Sequence, residues 1–215
     1  MRSKLLAEGL GTALLLATIV GSGIMAERLA NGNGAIALLA NALATGMMLF
    51  VVISVFGPVS GAHFNPAVTM VAWLTRQMSV SEAILYGIVQ FASAMIGVVV
   101  AHAMFALPLV SVSQHLRTGP AQWLSEFVAT FGLVLVIVVG SKTTPAGVPA
   151  LVASYIAGAY WFTASTSFAN PAVTVARALT DTFSGIRPAD VAMFCTVQIF
   201  GALVAWRVAR RADQT

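Results

Sequence analysis

The sequence predicts an all-α membrane protein: six transmembrane helices plus two re-entrant half-helices, arranged as an inverted repeat. Three observations carry that expectation. Hydrophobic residues make up 59% of the chain and charged residues 8%, with a mean hydropathy of +0.91. A soluble domain carries about 25% charged residues, so this chain cannot cover a water-facing surface. Six apolar stretches are long enough to cross a bilayer, and the pentapeptide Asn-Pro-Ala-Val-Thr occurs twice, at 65–69 and 170–174, each time after a long apolar run.

A hydrocarbon core about 30 Å thick needs roughly 20 apolar residues per helix. The stretches that qualify are about Leu5–Met25, Ala35–Phe56, Ala83–Phe105, Trp123–Gly140, Val148–Ser165 and Val191–Val208. Arg2 and Lys4 precede the first, as in a signal peptide. It lacks a clear cleavage site and is matched by a later segment, which reads as a first spanning helix. The breaks carry turn chemistry: Asn31-Gly32-Asn33-Gly34, Thr118-Gly119-Pro120, Thr144-Pro145-Ala146-Gly147-Val148-Pro149 and Ser184-Gly185-Ile186-Arg187-Pro188. No soluble domain, low-complexity tract or charged tail is evident, and the 15 residues Ala106–Pro120 between the halves are too few for a partner-binding domain. The chain reads as one domain, 1–215, with repeats over about 1–105 and 120–211.

The repeats are visible beyond the pentapeptide. Leu6-Ala7-Glu8 with Thr12 compares with Leu124-Ser125-Glu126 with Thr130, at a common offset of 118 residues. Val89-Gln90 with Ser93-Ala94 compares with Val197-Gln198 with Gly201-Ala202, at an offset of 108. Each half reads helix, helix, motif, helix. Three spans per half is odd, so the fused halves lie in opposite orientations. With both termini cytoplasmic, Arg2, Lys4, Arg76, Lys142, Arg207, Arg210 and Arg211 are inside, while Arg28, Arg117, Arg177 and Arg187 are outside, in agreement with the positive-inside rule. The basic residues sit at segment ends, which fits membrane orientation and not nucleic-acid binding.

After Phe56 the residues Gly57-Pro58 and Ser60-Gly61 read as too broken for helix, and helix resumes from Pro66 to about Leu74. Asn65 stands where an N-cap belongs, and Pro66 in the first turn loses no hydrogen bond. The segment is too short to span, so it dips in and stops; the copy headed by Asn170 does the same from the opposite face. Irregular backbone at membrane depth is tolerated where it lines a water-filled cavity or is buried in protein. Two half-helices meeting end to end place two positive macrodipole ends, each about half a charge, at mid-membrane. That arrangement repels cations and protons, while the two Asn amides donate to a passing oxygen.

Ser60-Gly61-Ala62-His63-Phe64-Asn65-Pro66-Ala67-Val68-Thr69 and the second Asn170-Pro171-Ala172, in an inverted six-helix repeat, resemble the aquaporin (major intrinsic protein) family over essentially the whole chain. The resemblance implies a right-handed six-helix bundle, a homotetramer with one pore per subunit, and Asn65 and Asn170 as donors at the pore centre. It implies an acceptor ladder of backbone carbonyls from Gly61, Ala62, His63 and Phe64, and from Thr166, Ser167 and Phe168. Most members carry Arg directly after the second Asn-Pro-Ala; here that position is Val173. The family's spacing puts the other filter positions at Thr45, Gly158 and Ser167, so the expected constriction has no charge and no ring.

Buried acids are expensive in a spanning helix. Glu8 and Glu126 read as scaffold groups that hold backbone N–H groups of the re-entrant loops, with proton relay as the alternative. Gln90 and Gln198 read as loop or helix braces, and His63 as a pore-facing or loop-bracing group. Arg177, four residues beyond Val173, has two readings: a charge at the outer vestibule, or a cation snorkelling to the interface. Lone His102 and His115 lack ligand-spaced neighbours, and the one cysteine, Cys195, allows no internal disulfide. No metal site, cofactor or enzymatic constellation is expected.

The expected function is a passive channel in a bacterial-type inner membrane for small uncharged solutes with water: glycerol, urea, and neutral metalloid hydroxides such as arsenous acid. The family resemblance supplies the arsenic link, through members with Val in place of the filter Arg. A water-selective channel and an ion-coupled secondary transporter are the alternatives.

Overall fold

The computed structural model describes residues 1–212 as a bundle of helices, with no strand among the described residues. The elements are α1 (Arg2–Leu29), α2 (Gly34–Ser60), α3 (Pro66–Leu74), α4 (Val80–Met104), α5 (Pro120–Thr143), α6 (Val148–Phe162), α7 (Pro171–Ala176) and α8 (Pro188–Ala212). Five of them, α1, α2, α4, α5 and α8, are long and apolar enough to cross a membrane. The sixth, α6, has 15 residues, about 22 Å at 1.5 Å per residue, and a 3-10 turn over Pro145–Gly147 leads into it. α3 and α7 are the half-helices; a 3-10 turn over Arg177–Leu179 extends α7.

Several helices outrun their apolar stretches. Hydropathy marks only the part that matches hydrocarbon, whereas capping carries the helix on. Asn33 caps α2 by accepting from the Ala35 and Ile36 amides. Ser79 and Glu82 close a reciprocal capping box at the start of α4. Two boundaries differ from expectation in kind. α2 continues through Gly57-Pro58 to Ser60, where Gly61 at φ 86° ends it and returns its N–H to the Gly57 carbonyl. Pro58 removes one intrahelical bond, a loss that packed spanning helices accommodate, and glycine supplies the left-handed stop. α6 ends at Phe162, not Ser165, because Thr163 turns extended and opens the approach to the second motif.

α1 packs against α2 and α4, α5 packs against α6 and α8, and α2 meets α6 across the two halves. The α1–α4 and α5–α8 crossings correspond in the repeat, and a glycine lets the backbones approach in each. A Cβ on Gly97 of α4 would strike the Ala13 carbonyl of α1, and one on Gly201 of α8 would strike the Phe127 carbonyl of α5. Ala94 and Ala202 are buried beside them, as small-residue helix contacts in membranes require. The segment between α4 and α5 folds back over the chain after α7. Ser111 and Ser113 N–H groups donate to the Leu179 and Ala178 carbonyls, and the Arg187 N–H to the His115 carbonyl.

Candidate functional site

The two motifs meet inside the bundle and complete each other. Asn65 accepts from the Ala67 amide and Asn170 from the Ala172 and Val173 amides, so each side-chain oxygen caps its own half-helix. The side-chain nitrogens cross over: Asn65 Nδ2 donates to the Ala169 carbonyl at 2.7 Å, and Asn170 Nδ2 to the Phe64 carbonyl at 2.8 Å. An amide nitrogen carries two N–H groups, so each Asn keeps one donor for the cavity that both line. Pro66 and Pro171 occupy the first helical turn, and Ala67 and Ala172 are fully buried.

The loop before each motif takes the same unusual path. Gly61, Ala62 and Phe64 in the first copy, and Thr166, Ser167 and Ala169 in the second, have φ between 49° and 86°. These are the same three offsets from the motif Asn. For non-glycine residues the left-handed region costs about 1 kcal/mol or more each, and buried carboxylates hold the strained backbone in place. Glu8, fully buried, accepts from the His63 and Phe64 amides, the Ser60 hydroxyl and Gln90 Nε2 at 2.7–2.9 Å. Glu126, also fully buried, accepts from the Phe168 and Ala169 amides and Gln198 Nε2 at 2.6–2.9 Å. Gln90 then donates to Thr69, and Gln198 to Thr174. The Thr of the repeated pentapeptide is thus the last link of a Glu–Gln–Thr chain, a role that sequence reasoning missed although the repetition itself marked both residues.

The backbone carbonyls of Gly61, Ala62 and His63, and of Thr166, Ser167 and Phe168, accept no hydrogen bond among the described residues, and all of these residues but Thr166 line the cavity. The Phe64 carbonyl accepts from Asn170 Nδ2, which leaves one of its two lone pairs. The His63 ring contacts Thr69 through Nδ1 at 3.1 Å and leans on Tyr86.

The cavity has a volume of about 1110 Å³. Its lining includes Arg76, Lys142 and Arg210, near the ends of α3, α5 and α8, both Asn residues, and Tyr160 and Arg177. Thr45, Ser167 and Val173 line it; Gly158 does not. Gly158 is exposed on the outside of α6, and a Cβ there would meet open space. The inward stripe of α6 is Val148, Val152, Ile156 and Tyr160, one residue per turn. Gly158 is two residues from Tyr160, about 200° around the helix at 3.6 residues per turn. Counting back from the motif failed because the link from α6 to Asn170 leaves Tyr160 at this depth; the four-residue stripe was the signal that could have found it. Tyr160 is 2% exposed and its hydroxyl lies 3.2 Å from Thr45 Oγ1.

Tyr160 and Arg177 also line the cavity, so its wall carries a ring and a charge that the expected set of Thr45, Gly158, Ser167 and Val173 lacked. Arg177 is 1% exposed and lines the cavity, so its side chain turns inward and does not snorkel to the outer surface. Its guanidinium lies 3.4 Å from the centre of the Phe168 ring and its Nε donates to the Ser184 carbonyl. Arg117, from the segment between the halves, reaches the same ring at 4.9 Å. It donates to the Gly185 carbonyl at 2.7 Å and the Ser165 carbonyl at 3.0 Å. Burial pushes the Arg117 guanidinium below its ordinary value, and Glu126 opposes that shift. A single Arg in a connecting segment carries no pattern, and no sequence signal pointed to it.

His102 is buried between the Pro108 carbonyl and Thr180, each at 2.7 Å. His115 is exposed. Among the described residues no cluster of three or more His, Cys, Asp or Glu could hold a metal ion.

Comparison with known proteins gives a consistent picture. Residues 1–162 match the family described as Major intrinsic protein. The chain is 52% identical over 207 residues to aquaglyceroporin AqpS of Rhizobium meliloti (strain 1021), covering 96% of this chain and 88% of that protein. It is 34% identical over 140 residues to a probable TIP-type aquaporin of Medicago truncatula, covering 61% of this chain and 54% of that one. In fold it resembles the X-ray structure of the aquaglyceroporin from Plasmodium falciparum, with a TM-score of 0.77 at 19% identity, covering 96% of this chain and 94% of that chain.

Proposed function

The chain belongs to the major intrinsic protein family, and from that premise we propose that it is a passive transmembrane channel for small uncharged solutes with water. The observation that carries the reading is the cavity of about 1110 Å³ that passes both Asn residues. Each Asn side chain is locked by its own half-helix and by the opposite loop, so its remaining N–H is preorganised toward a passing oxygen. Unengaged carbonyls on both loops accept from the hydroxyls of the same molecule.

The solute class we propose is glycerol and urea, with neutral metalloid hydroxides such as arsenous acid. The name of the 52% identical relative, an aquaglyceroporin, supports it, as does the apolar Val173 at the position after the second motif. The paired half-helix N-termini oppose cations and protons near the centre. We place the protein in a bacterial-type inner membrane as a homotetramer with cytoplasmic termini, where the cavity's basic end at Arg76, Lys142 and Arg210 faces inward.

The test is stopped-flow permeability of proteoliposomes to water, glycerol, urea and arsenous acid. Glycerol flux well above that of protein-free liposomes is expected. Water flux alone selects a water channel instead. Solute flux that requires a proton or sodium gradient selects a coupled transporter.

A further inference from the structure

Two side-chain atoms on the cavity wall are buried and have no hydrogen-bond partner: Arg177 Nη1 and Ser167 Oγ. Their residues are 1% and 2% exposed. A buried donor left unpaired is costly, and more so when it is charged, so a molecule in the cavity that pairs with these two groups relieves that cost. Arg177 is not free to turn away. Its face is stacked on Phe168 and its Nε is held by the Ser184 carbonyl, which fixes the plane of the guanidinium and the direction of Nη1. The neighbouring cation, Arg117, is already committed to the Gly185 and Ser165 carbonyls. In the first copy of the repeat the equivalent of Arg177 is Ala72, so the inverted repeat does not require an arginine here.

We propose that Arg177 supplies the charged hydrogen-bond donor of the constriction, one helical turn beyond Val173, with Ser167 Oγ as its partner contact for a small neutral polyhydroxy solute. This rests on the channel reading above. Nη1 donates to one solute oxygen and Ser167 Oγ exchanges a hydrogen bond with another. The adjacent carbonyls of Ser167 and Phe168, both lining the cavity, accept from the solute's hydroxyl protons. A molecule with several hydroxyls satisfies all of these groups at once. A cation meets a fixed like charge in a water-poor site and is excluded. Moving the charge from position 173 to position 177 leaves an apolar wall at Val173, on which the carbon skeleton of the solute can lie.

The experiment compares full-length wild type, Ser167→Ala, Arg177→Lys and Arg177→Gln in proteoliposomes, reading glycerol flux, water flux and potassium leak. Loss of one neutral hydrogen bond in Ser167→Ala lowers glycerol flux about fivefold and water flux less. Loss of a charge-assisted bond in Arg177→Gln lowers glycerol flux tenfold or more, on the order expected for such bonds, and raises potassium leak. Arg177→Lys loses glycerol flux and keeps potassium out, because it retains the charge without the planar fork. Wild-type glycerol flux in both Ser167→Ala and Arg177→Lys overturns the proposal. If the Arg177 variants aggregate, Ser167→Ala decides alone, since its hydroxyl has no structural partner to lose. Absence of glycerol flux in the wild type overturns the channel reading itself.

Discussion

Val173 and Arg177 share one face of α7 and its 3-10 extension, and the space between them is already close to two guanidinium groups and the Phe168 ring. Val173 is 2% exposed. A Val173→Arg substitution adds a third cation and several side-chain atoms to that space. Glycerol flux is expected to fall at least tenfold, on the order of more than 1.4 kcal/mol in barrier, with water flux reduced less. Unchanged glycerol flux in the swelling assay removes Val173 from the constriction. Glu126 gives a second test at this scale. Its two oxygens accept from two adjacent backbone amides and Gln198. Glu126→Gln turns one of those oxygens into an NH2 group that faces a donor, an unpaired buried contact of about 1–3 kcal/mol. The expected result is a melting temperature lower by several degrees in detergent, at about 2–4 °C per kcal/mol for a chain of this size. A proton-relay role predicts the opposite pattern: full thermal stability with altered proton movement.

Among the elements, the spanning helices and half-helices were legible because hydropathy and the Asn-Pro pair report directly on what a bilayer and a helix N-terminus demand. Register within α6 was not. The rotation of a helix depends on the length and path of the link that follows it, and Thr163–Ala169 gives no periodic signal, so Gly158 was assigned inward and Tyr160 missed. The α5–α8 crossing depends on Gly201, where any side chain meets the Phe127 carbonyl. Gly201→Leu forces the two helices apart and is expected to cost about 1–3 kcal/mol or more, read as loss of the folded peak on size exclusion or a clear fall in melting temperature. Gly87 and Gly57 have no such neighbour and serve as tolerant controls by position. The segment between the halves is braced from within by Arg117, whose guanidinium holds carbonyls on both the α6–α7 and α7–α8 links. Arg117→Ala is expected to speed amide hydrogen exchange at Ser111 and Ser113, whose N–H groups bond to Leu179 and Ala178, while leaving the α1–α4 crossing as protected as before.

For the whole molecule, the two halves build one scaffold twice and then diverge in what they add to it. Glu8–Gln90–Thr69 and Glu126–Gln198–Thr174 repeat the same chain of hydrogen bonds; the residues were visible in the sequence as repeated pairs, the chain that links them was not. The asymmetric chemistry, Tyr160, Phe168, Arg117 and Arg177, lies in or next to the second half and was largely hidden, because it depends on side chains brought together from separate links. A central barrier made of helix dipoles needs no side-chain charge, so a pH jump across proteoliposomes is expected to decay no faster than in protein-free vesicles, and neither a sodium nor a proton gradient should drive glycerol uptake. The crossed bonds from Asn65 to Ala169 and from Asn170 to Phe64 also bear on how the molecule comes into being. The first motif loop is made before its partner, and the residues that close it follow about a hundred residues later. Until Ala169 and Asn170 are made, Asn65 lacks its acceptor across the seam and the Phe64 carbonyl lacks its donor. The crossed bonds thus form a seam that closes only when both motif loops are present, and the two Asn residues that hold it are also residues that line the cavity.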